Sequence, residues 1–166
     1  IPRRTERTLN RPDGYIGRAV ERLEDARFLR GRGQYVDDLQ PQGLLHAAIF
    51  RSAFAHARIR SIDVTAALAL PGVHAVLTAA DLGAGVPTIP LRMELQPALA
   101  RFEQPVLAQG KVRHVGDRVA AVVAETPEIA VAARATIKVE YEVLRPVLTL
   151  DDAAADNAPI IHNSEI

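Results

Sequence analysis

Residues 111–143, KVRHVGDRVAAVVAETPEIAVAARATIKVEYEV, carry the clearest fold signal in the chain. They predict a strand on each side of Gly116, because apolar runs of strand length flank that glycine. A helix then begins at Pro127 with Thr126 as its N-cap, since threonine caps helices and proline is accepted at the first helical position. Strict alternation of apolar and charged residues over 137–143 predicts a further strand with one face in water.

Small apolar residues line one side of the predicted helix, which would let it sit close to a sheet. They are Ile129, Ala130, Ala133 and Ile137. Strands and helices are mixed along the chain rather than strictly alternating, and this order favours an α+β domain. We therefore predict a mixed sheet with a few short helices and a helix at about residues 127–136 packed on it.

Shorter signals outside this stretch predict the remaining elements. Residues 1–16 are predicted to be an extended arm, because two prolines and no apolar period mark their sequence. The other predicted elements are a helix from Glu21 that ends at Gly31, a strand stub at 34–36, paired strands at 44–50 and 57–64, a short helix capped by Thr65, a strand at 73–78 with a further turn capped by Thr78, and a final helix whose capping box joins Thr149 to Asp152.

The composition indicates one folded domain and excludes some classes of function. The chain has 166 residues, 48% of them hydrophobic, and no formal net charge at pH 7. A balanced charge and 4% aromatic residues do not suit a nucleic-acid binder. Cysteine is absent, so the chain cannot form disulfides or ligate an iron–sulfur cluster, and any redox centre must lie on a partner.

The sequence shows no apolar run of membrane-span length and no signal-peptide pattern. We therefore expect a cytoplasmic location. Because the sequence starts at Ile1 rather than methionine, a removed leader and a periplasmic location stay open as the alternative.

His114 and Asp117 are the first candidates for chemistry, as an acid/base pair. On an extended strand, residues three apart point to opposite faces, so the two side chains would converge only if Gly116 introduced a bulge. A general acid and base must both reach one reacting group. We therefore favour a structural interpretation, in which His114 ends one strand and Asp117 precedes the next.

The other candidates also favour structural interpretations. Ser52, His56 and Asp63 are the residue types of a hydrolase triad, but no Gly-x-Ser-x-Gly elbow surrounds the serine, and a turn between strands is the better interpretation. The five histidines show no spacing that aims two of them at one metal.

Three features near the N-terminus have simple interpretations. Gly31-Arg32-Gly33 lacks the context of a dinucleotide fingerprint and reads as a helix stop. Asp37-Asp38 could bind a cation, but adjacent carboxylates at a turn are usually solvated. Nearby acidic residues can form local ion pairs with an arginine cluster. The alternative interpretation of this cluster is that it docks on an acidic partner surface. The cluster contains Arg18, Arg22, Arg27, Arg30 and Arg32.

Five segments, in order, carry a family resemblance. They are Gly17-Arg18 with RLEDARFLRGRGQYVDDL (22–39), RSAFAHARIRSIDV (51–64), PGV (71–73), PVLAQGKVRHVGDRVAAVVAET (105–126) and IKVEYEVLRPV (137–147). Together they resemble the hammerhead domain that opens the molybdenum-binding large subunit of the xanthine dehydrogenase, aldehyde oxidase and carbon monoxide dehydrogenase family. RLEDARFLRG resembles the carbon monoxide dehydrogenase and bacterial ring-hydroxylase branch.

The resemblance implies a hammerhead domain at 17–150 and a C-terminal segment, 151–166, that leads toward molybdenum-binding domains. It also implies a complex that hydroxylates an aldehyde or N-heteroaromatic carbon with water. The implied cofactors are molybdopterin cytosine dinucleotide, 2Fe-2S clusters and FAD, none bound by this chain alone. The implied partners are the rest of the large subunit, an iron–sulfur small subunit and an FAD medium subunit, assembled as a dimer of heteromers.

In relatives, the region corresponding to the long loop at 86–104 borders the substrate funnel. The resemblance therefore implies that this loop shapes substrate entry, with Arg92 and Met93 as candidates, while a plain surface loop is the other interpretation. The sequence predicts no catalytic, cofactor-binding or metal-binding residue in the chain itself. The alternative function is a stand-alone interaction module with the hammerhead fold and no redox role.

Overall fold

The computed structural model describes residues 19–20, 22–83, 85–90 and 97–162. Contacts divide the chain into two units, Ile1–Gln42 and Gly43–Ile166. The described part of the first unit contains the helix α1 (Asp25–Leu29) and a 3-10 helix (Val36–Asp38). The predicted extended arm and residue Glu21 lie outside the described residues.

The second unit contains the strands and the remaining helices. In chain order they are β1 (His46–Arg51), β2 (Ala57–Asp63), α2 (Thr65–Leu68), β3 (Val73–Thr78), β4 (Thr88–Ile89), β5 (Gln104–Pro105), β6 (Lys111–Val112), β7 (Arg118–Ala124), α3 (Pro127–Thr136), β8 (Lys138–Val143) and α4 (Leu150–Ala154). Two further 3-10 helices span Ala79–Leu82 and Pro97–Phe102.

The first unit confirms a helix that ends before Gly31, but this helix begins at Asp25, later than predicted. The strand predicted after it is wrong. Gly31 follows α1 with φ of 66°, as a helix stop requires. Residues 34–36 do not form a strand stub. The backbone N–H of Tyr35 donates to Oδ2 of Asp38 at 2.8 Å, and this local bond bends the chain into a 3-10 turn.

One three-stranded antiparallel sheet has the order β1-β7-β3, with β7 in the centre. Helix α3 packs on β1 and β7, and its buried alanines Ala130 and Ala133 allow this close approach. Ile137, at the C-terminal cap of α3, is also buried, and Ile129 packs against the same core. The predicted inward face of the helix is therefore confirmed, and so is the Thr126 cap, whose hydroxyl accepts from the Ile129 N–H at 3.3 Å.

A second antiparallel sheet has the order β6-β2-β8, and β4 pairs with β5 separately. The outer face of the β6-β2-β8 sheet is exposed to solvent. On it Arg60 pairs with Glu142, and the Ser61 hydroxyl donates to Glu140 at 3.1 Å. The alternation predicted for β8 is right up to Tyr141. Val143 is 61% exposed rather than buried, because the apolar cluster of this sheet reaches Tyr141 but not the end of the strand.

The α+β class with few short helices is confirmed, but the strand connections differ from those predicted. The expected pairing of β1 with β2 is wrong, since each belongs to a different sheet. Likewise β7 and β8, on either side of α3, lie in different sheets, and every strand pair in the described residues is antiparallel rather than mixed. Within the described ranges, no helix is long and apolar enough to cross a membrane.

Candidate functional site

The candidate site is built around a tight turn at residues 113–117, which joins β6 to β7. Gly116 has φ of 89°, a conformation that glycine adopts without strain. The Asp117 N–H donates to the His114 carbonyl at 3.2 Å, and the Asp117 carboxylate accepts from the Arg113 N–H at 3.0 Å. These bonds hold the side chains of the turn in fixed positions.

The end of β1 anchors this turn. The Gly116 N–H donates to the Ser52 carbonyl at 2.8 Å, and the Ser52 N–H donates to the Asp117 carbonyl at 2.9 Å. The Arg51 guanidinium adds a bond to the Gly116 carbonyl at 2.9 Å. The last residue of β1 and the residue that follows it therefore position the turn.

The expectation that His114 and Asp117 would point apart is wrong. Nδ1 of His114 lies 3.9 Å from Oδ2 of Asp117, because the chain turns at Gly116 instead of running on as a strand. Asp117 is only 6% exposed, and its carboxylate holds the Arg113 N–H, whereas His114 is half-exposed. The two side chains therefore lie close together, and the Asp117 carboxylate is hydrogen-bonded within the turn.

A cleft of about 210 Å³ opens beside this turn. Its opposite wall comes from the residues around β5 and from the C-terminal segment. The lining residues are Glu103, Gln104, Pro105, Arg113, His114, Asp117 and His162. The β5 wall is tied to β7, since the Arg118 guanidinium donates to the carbonyls of Val106 at 3.2 Å and Pro105 at 3.5 Å.

Cationic side chains crowd one another around the cleft. Burial lowers the pKa of His162, and the nearby charges of Arg113, Lys111 and His114 lower it further. Burial also lowers the pKa of Lys111, with added repulsion from Arg113 and Arg58. The pKa of Arg113 is lowered by burial and partly restored by Asp117. The charge of Arg113 thus acts on both His162 and Lys111.

Ser52, His56 and Asp63 do not form a triad, because each is bonded elsewhere. The Ser52 hydroxyl donates to the Phe54 carbonyl at 3.0 Å and accepts the Phe54 N–H at 2.9 Å. Nδ1 of His56 lies 2.8 Å from the Arg145 carbonyl, so it carries the proton. The Asp63 carboxylate accepts the Thr65 N–H at 2.9 Å, and this bond lowers its pKa. The interpretation of the segment as a turn between strands is supported.

Of the remaining sequence candidates, those in the described residues have contacts of their own. His74 lies 3.5 Å from the Glu125 carboxylate, and the described residues contain no group of three or more His, Asp or Glu side chains placed to hold a metal. Gly31-Arg32-Gly33 follows α1, and Asp37-Asp38 is exposed on a 3-10 helix. Arg27 pairs with Glu24 at 2.9 Å, as expected for local ion pairs. Arg18, Arg92 and Met93 lie outside the described residues.

Sequence reasoning missed most of the cleft. Arg113 and Gln104 showed no motif, and His162 is distant in sequence from the turn, so no local spacing could have linked it to His114. The one available signal was Gly116, whose position between a histidine and an aspartate indicates a turn as readily as a bulge.

Comparison with known proteins agrees with the fold. Residues 30–145 match the sequence profile of the family described as "Aldehyde oxidase and xanthine dehydrogenase, a/b hammerhead domain". The chain belongs to this family. It is 46% identical over 138 residues to the carbon monoxide dehydrogenase large chain of Hydrogenophaga pseudoflava. This alignment covers 83% of this chain and 16% of that protein.

Solved structures show the same likeness to the hammerhead family. Reconstituted CO dehydrogenase from Oligotropha carboxidovorans aligns with a TM-score of 0.77 and 42% identity over 86% of this chain and 17% of that one. Quinoline 2-oxidoreductase from Pseudomonas putida 86 aligns with a TM-score of 0.71 and 44% identity over 83% of this chain and 17% of that one. The hammerhead chain thus spans about one sixth of the length of the relatives it matches.

Proposed function

We propose that this hammerhead chain is a structural part of the large subunit of a molybdenum hydroxylase, which oxidises an aldehyde or N-heteroaromatic carbon with water. The observation that carries the proposal is the alignment to 86% of this chain and only 17% of a CO dehydrogenase chain. A domain that makes up a small fraction of a large chain serves that chain as a whole. The catalytic residues then belong to the remaining domains.

The described residues do not offer a metal centre, since they contain no group of three or more suitable ligands. Molybdopterin cytosine dinucleotide, 2Fe-2S clusters and FAD are proposed for the assembly, with the iron–sulfur and flavin groups on small and medium subunits in a dimer of heteromers. We propose a cytoplasmic location, which cell fractionation tests.

The proposed domain limits follow from the same resemblance. Residues 1–16 form an arm, 17–150 form the hammerhead domain and 151–166 lead toward the following domains. Limited proteolysis of the purified assembly tests them, with first cleavage expected before residue 17 and after residue 150. Early cleavage inside 105–147 would contradict these limits.

Purification through a tag on this chain tests the main proposal. We expect molybdenum, iron and flavin to co-purify with it, together with additional polypeptide, as measured by metal analysis and intact mass. Val119→Asp, which places a charge at a fully buried position, should abolish the association, whereas Val131→Asp on the exposed face of α3 should preserve it. A stable monomer free of molybdenum would favour the stand-alone interaction module instead.

We also propose that the loop at 86–104 borders substrate entry, with Arg92 and Met93 as its candidate contacts. The family resemblance supports this role. In the purified assembly, Arg92→Ala and Met93→Ala should change the ratio of kcat/KM between a small aldehyde and a bulky heteroaromatic substrate, while Arg134→Ala on α3 should not. Unchanged substrate preference after truncation of the loop would overturn it.

A further inference from the structure

The cleft beside the 113–117 turn has chemistry that the proposed structural function does not use. Its lining includes the Arg113 guanidinium and the imidazoles of His114 and His162. These groups reach the cleft from separate parts of the chain: the turn between β6 and β7, and the segment after α4. A volume of about 210 Å³ accommodates a small organic acid or one acidic side chain.

The Arg113 guanidinium has donors without an acceptor among the described residues. Its Nη1 donates to the Lys111 carbonyl at 3.3 Å, but no carboxylate lies within 4.0 Å of its guanidinium among the described residues. A guanidinium has five N–H donors in a planar fork, which matches the two oxygens of a carboxylate. A half-buried arginine in this state is suited to an acceptor that comes from outside.

The two acids of the cleft are already engaged by the protein. Asp117 accepts the Arg113 N–H at 3.0 Å, and the Glu103 carboxylate accepts the Thr88 hydroxyl at 2.6 Å. Neither of them forms an ion pair with the Arg113 guanidinium within 4.0 Å, although the charge of Asp117 raises the pKa of Arg113. The pKa of His162 and that of Lys111 are lowered first by burial and then by nearby positive charges, and Arg113 is among those charges in both cases.

The walls of the cleft are also fixed in place. The turn is tied to Ser52 of the β1 end, and the β5 wall is tied to Arg118 of β7. His162 is held by an edge-on contact with the Phe102 ring, with centroids 5.3 Å apart. A cleft whose backbone walls are held in this way loses little backbone entropy when it binds a ligand.

We propose that this cleft binds a carboxylate, with Arg113 as its main contact and His114 and His162 as further donors. The carboxylate comes either from a free organic acid or from an Asp or Glu side chain of the adjoining polypeptide. This assignment does not depend on the proposed redox function, because it rests only on the residues of this chain.

The absence of cysteine from the chain makes a direct test possible. Gln104→Cys places a single thiol in the cleft, and Ala132→Cys places a control thiol on the exposed side of α3. The rates of modification by an anionic and a cationic methanethiosulfonate reagent are compared at each thiol. We expect the anionic-to-cationic rate ratio to be larger in the cleft by on the order of fivefold, as a local positive potential requires.

Arg113 variants then connect this potential to one residue. In the Gln104→Cys background, Arg113→Gln should lower the rate ratio toward the control value, while Arg113→Lys, which keeps the charge, should largely preserve it. Circular dichroism and the unfolding midpoint of each variant show whether the fold is retained. Equal ratios at the two thiols, or a ratio that ignores Arg113→Gln in a folded variant, would overturn the proposal.

Ligand protection tests binding and separates the two sources. Succinate should slow modification of the cleft thiol and not of the control thiol, whereas neutral succinamide at the same concentration should slow neither. If the natural ligand is a free organic acid, the cleft thiol should react in the purified assembly until succinate is added. An acidic side chain of the adjoining polypeptide protects it in the assembly without succinate. Carboxylate binding is refuted if succinate fails to protect the cleft thiol in the isolated chain and the thiol is not protected in the assembly either.

Discussion

The two main sheets bury their strands differently, although one helix connects them. Strand β7 lies between β1 and β3, and most of its residues are buried. Helix α3 covers one face of this sheet, and on the other face Val119 packs with Ala57 and Val112 of the second sheet. Strand β8 lies at an edge of the other sheet, with charged residues on its outer face. The difference teaches that a continuous apolar run reports a strand covered on both sides, whereas alternation reports one wet face.

The sharpest test of this contrast places a charge in β7. Val122→Asp buries a carboxylate at a fully buried position and should cost at least about 4 kcal/mol of unfolding free energy. Lys138→Ser on the wet face of β8 should cost less than about 0.5 kcal/mol. Urea unfolding measures both, and similar costs would break the contrast between the two sheets.

A second test concerns the close approach of α3 to its sheet. Ala133→Leu adds volume where Ala133 is fully buried and should cost about 1–3 kcal/mol, because a packed core has no space for the added atoms. Ala132→Leu on the exposed side of the same helix is the matched control and should change stability by less than about 0.5 kcal/mol. A tolerant Ala133 position would mean that the helix lies further from the sheet than described.

A third test moves from the sheets to the turn that joins β6 to β7. Gly116→Ala should cost about 1 kcal/mol, since its φ of 89° disfavours any side chain. A Cβ there would meet no atom within 4 Å, so the effect isolates backbone strain. Gly85→Ala, which is equally open but lacks a positive φ, should be neutral or slightly stabilising when thermal unfolding is measured.

The smallest expected effect is a pH dependence at the end of β3. The Thr78 N–H and hydroxyl each donate to Oδ2 of Asp81 at 2.7 Å, and these bonds lower the pKa of Asp81. A lowered folded-state pKa gives stability that is present above the unfolded pKa and lost as the pH falls through the folded value.

Asp81→Asn should therefore make the unfolding free energy fall less between about pH 7 and about pH 3. Thermal unfolding at both pH values measures the change. Glu140→Gln on the wet face of β8 is the control and should alter this pH dependence little. An Asp81→Asn variant with the pH dependence of the parent chain would contradict the assigned cause.

Local patterns predicted the individual elements well where local chemistry decides them. Thr126 and Thr149 cap their helices as expected, because the cap bond joins residues three apart. The predicted Thr65 cap is wrong: Thr65 is the first residue of α2, and its N–H donates to the Asp63 carboxylate. The strand predicted at 34–36 was wrong because of another local bond. The Asp38 carboxylate accepts the Tyr35 N–H, and the pattern of apolar residues does not reveal this bond. The loop candidates Arg92 and Met93 stay predictions.

The candidate site could not be assembled from sequence in the same way. His114 and Asp117 were noticed, but their approach depended on the Gly116 turn and on its anchors at Arg51 and Ser52. His162 enters the cleft from the segment after α4. Contacts of this kind join residues that are far apart in the chain, so no spacing rule predicts them.

The amino-acid sequence by itself determined the α+β class, the alanine-rich face of α3, the wet face of β8 and the family resemblance. Each of these depends on short-range periodicity, capping chemistry or ordered motifs. Only the tertiary structure decided that β1 and β2 belong to different sheets and that Arg113, His114 and His162 share one cleft. Strand pairing and cleft formation are settled by which distant surfaces bury the most apolar area together, a property of the whole chain rather than of any segment.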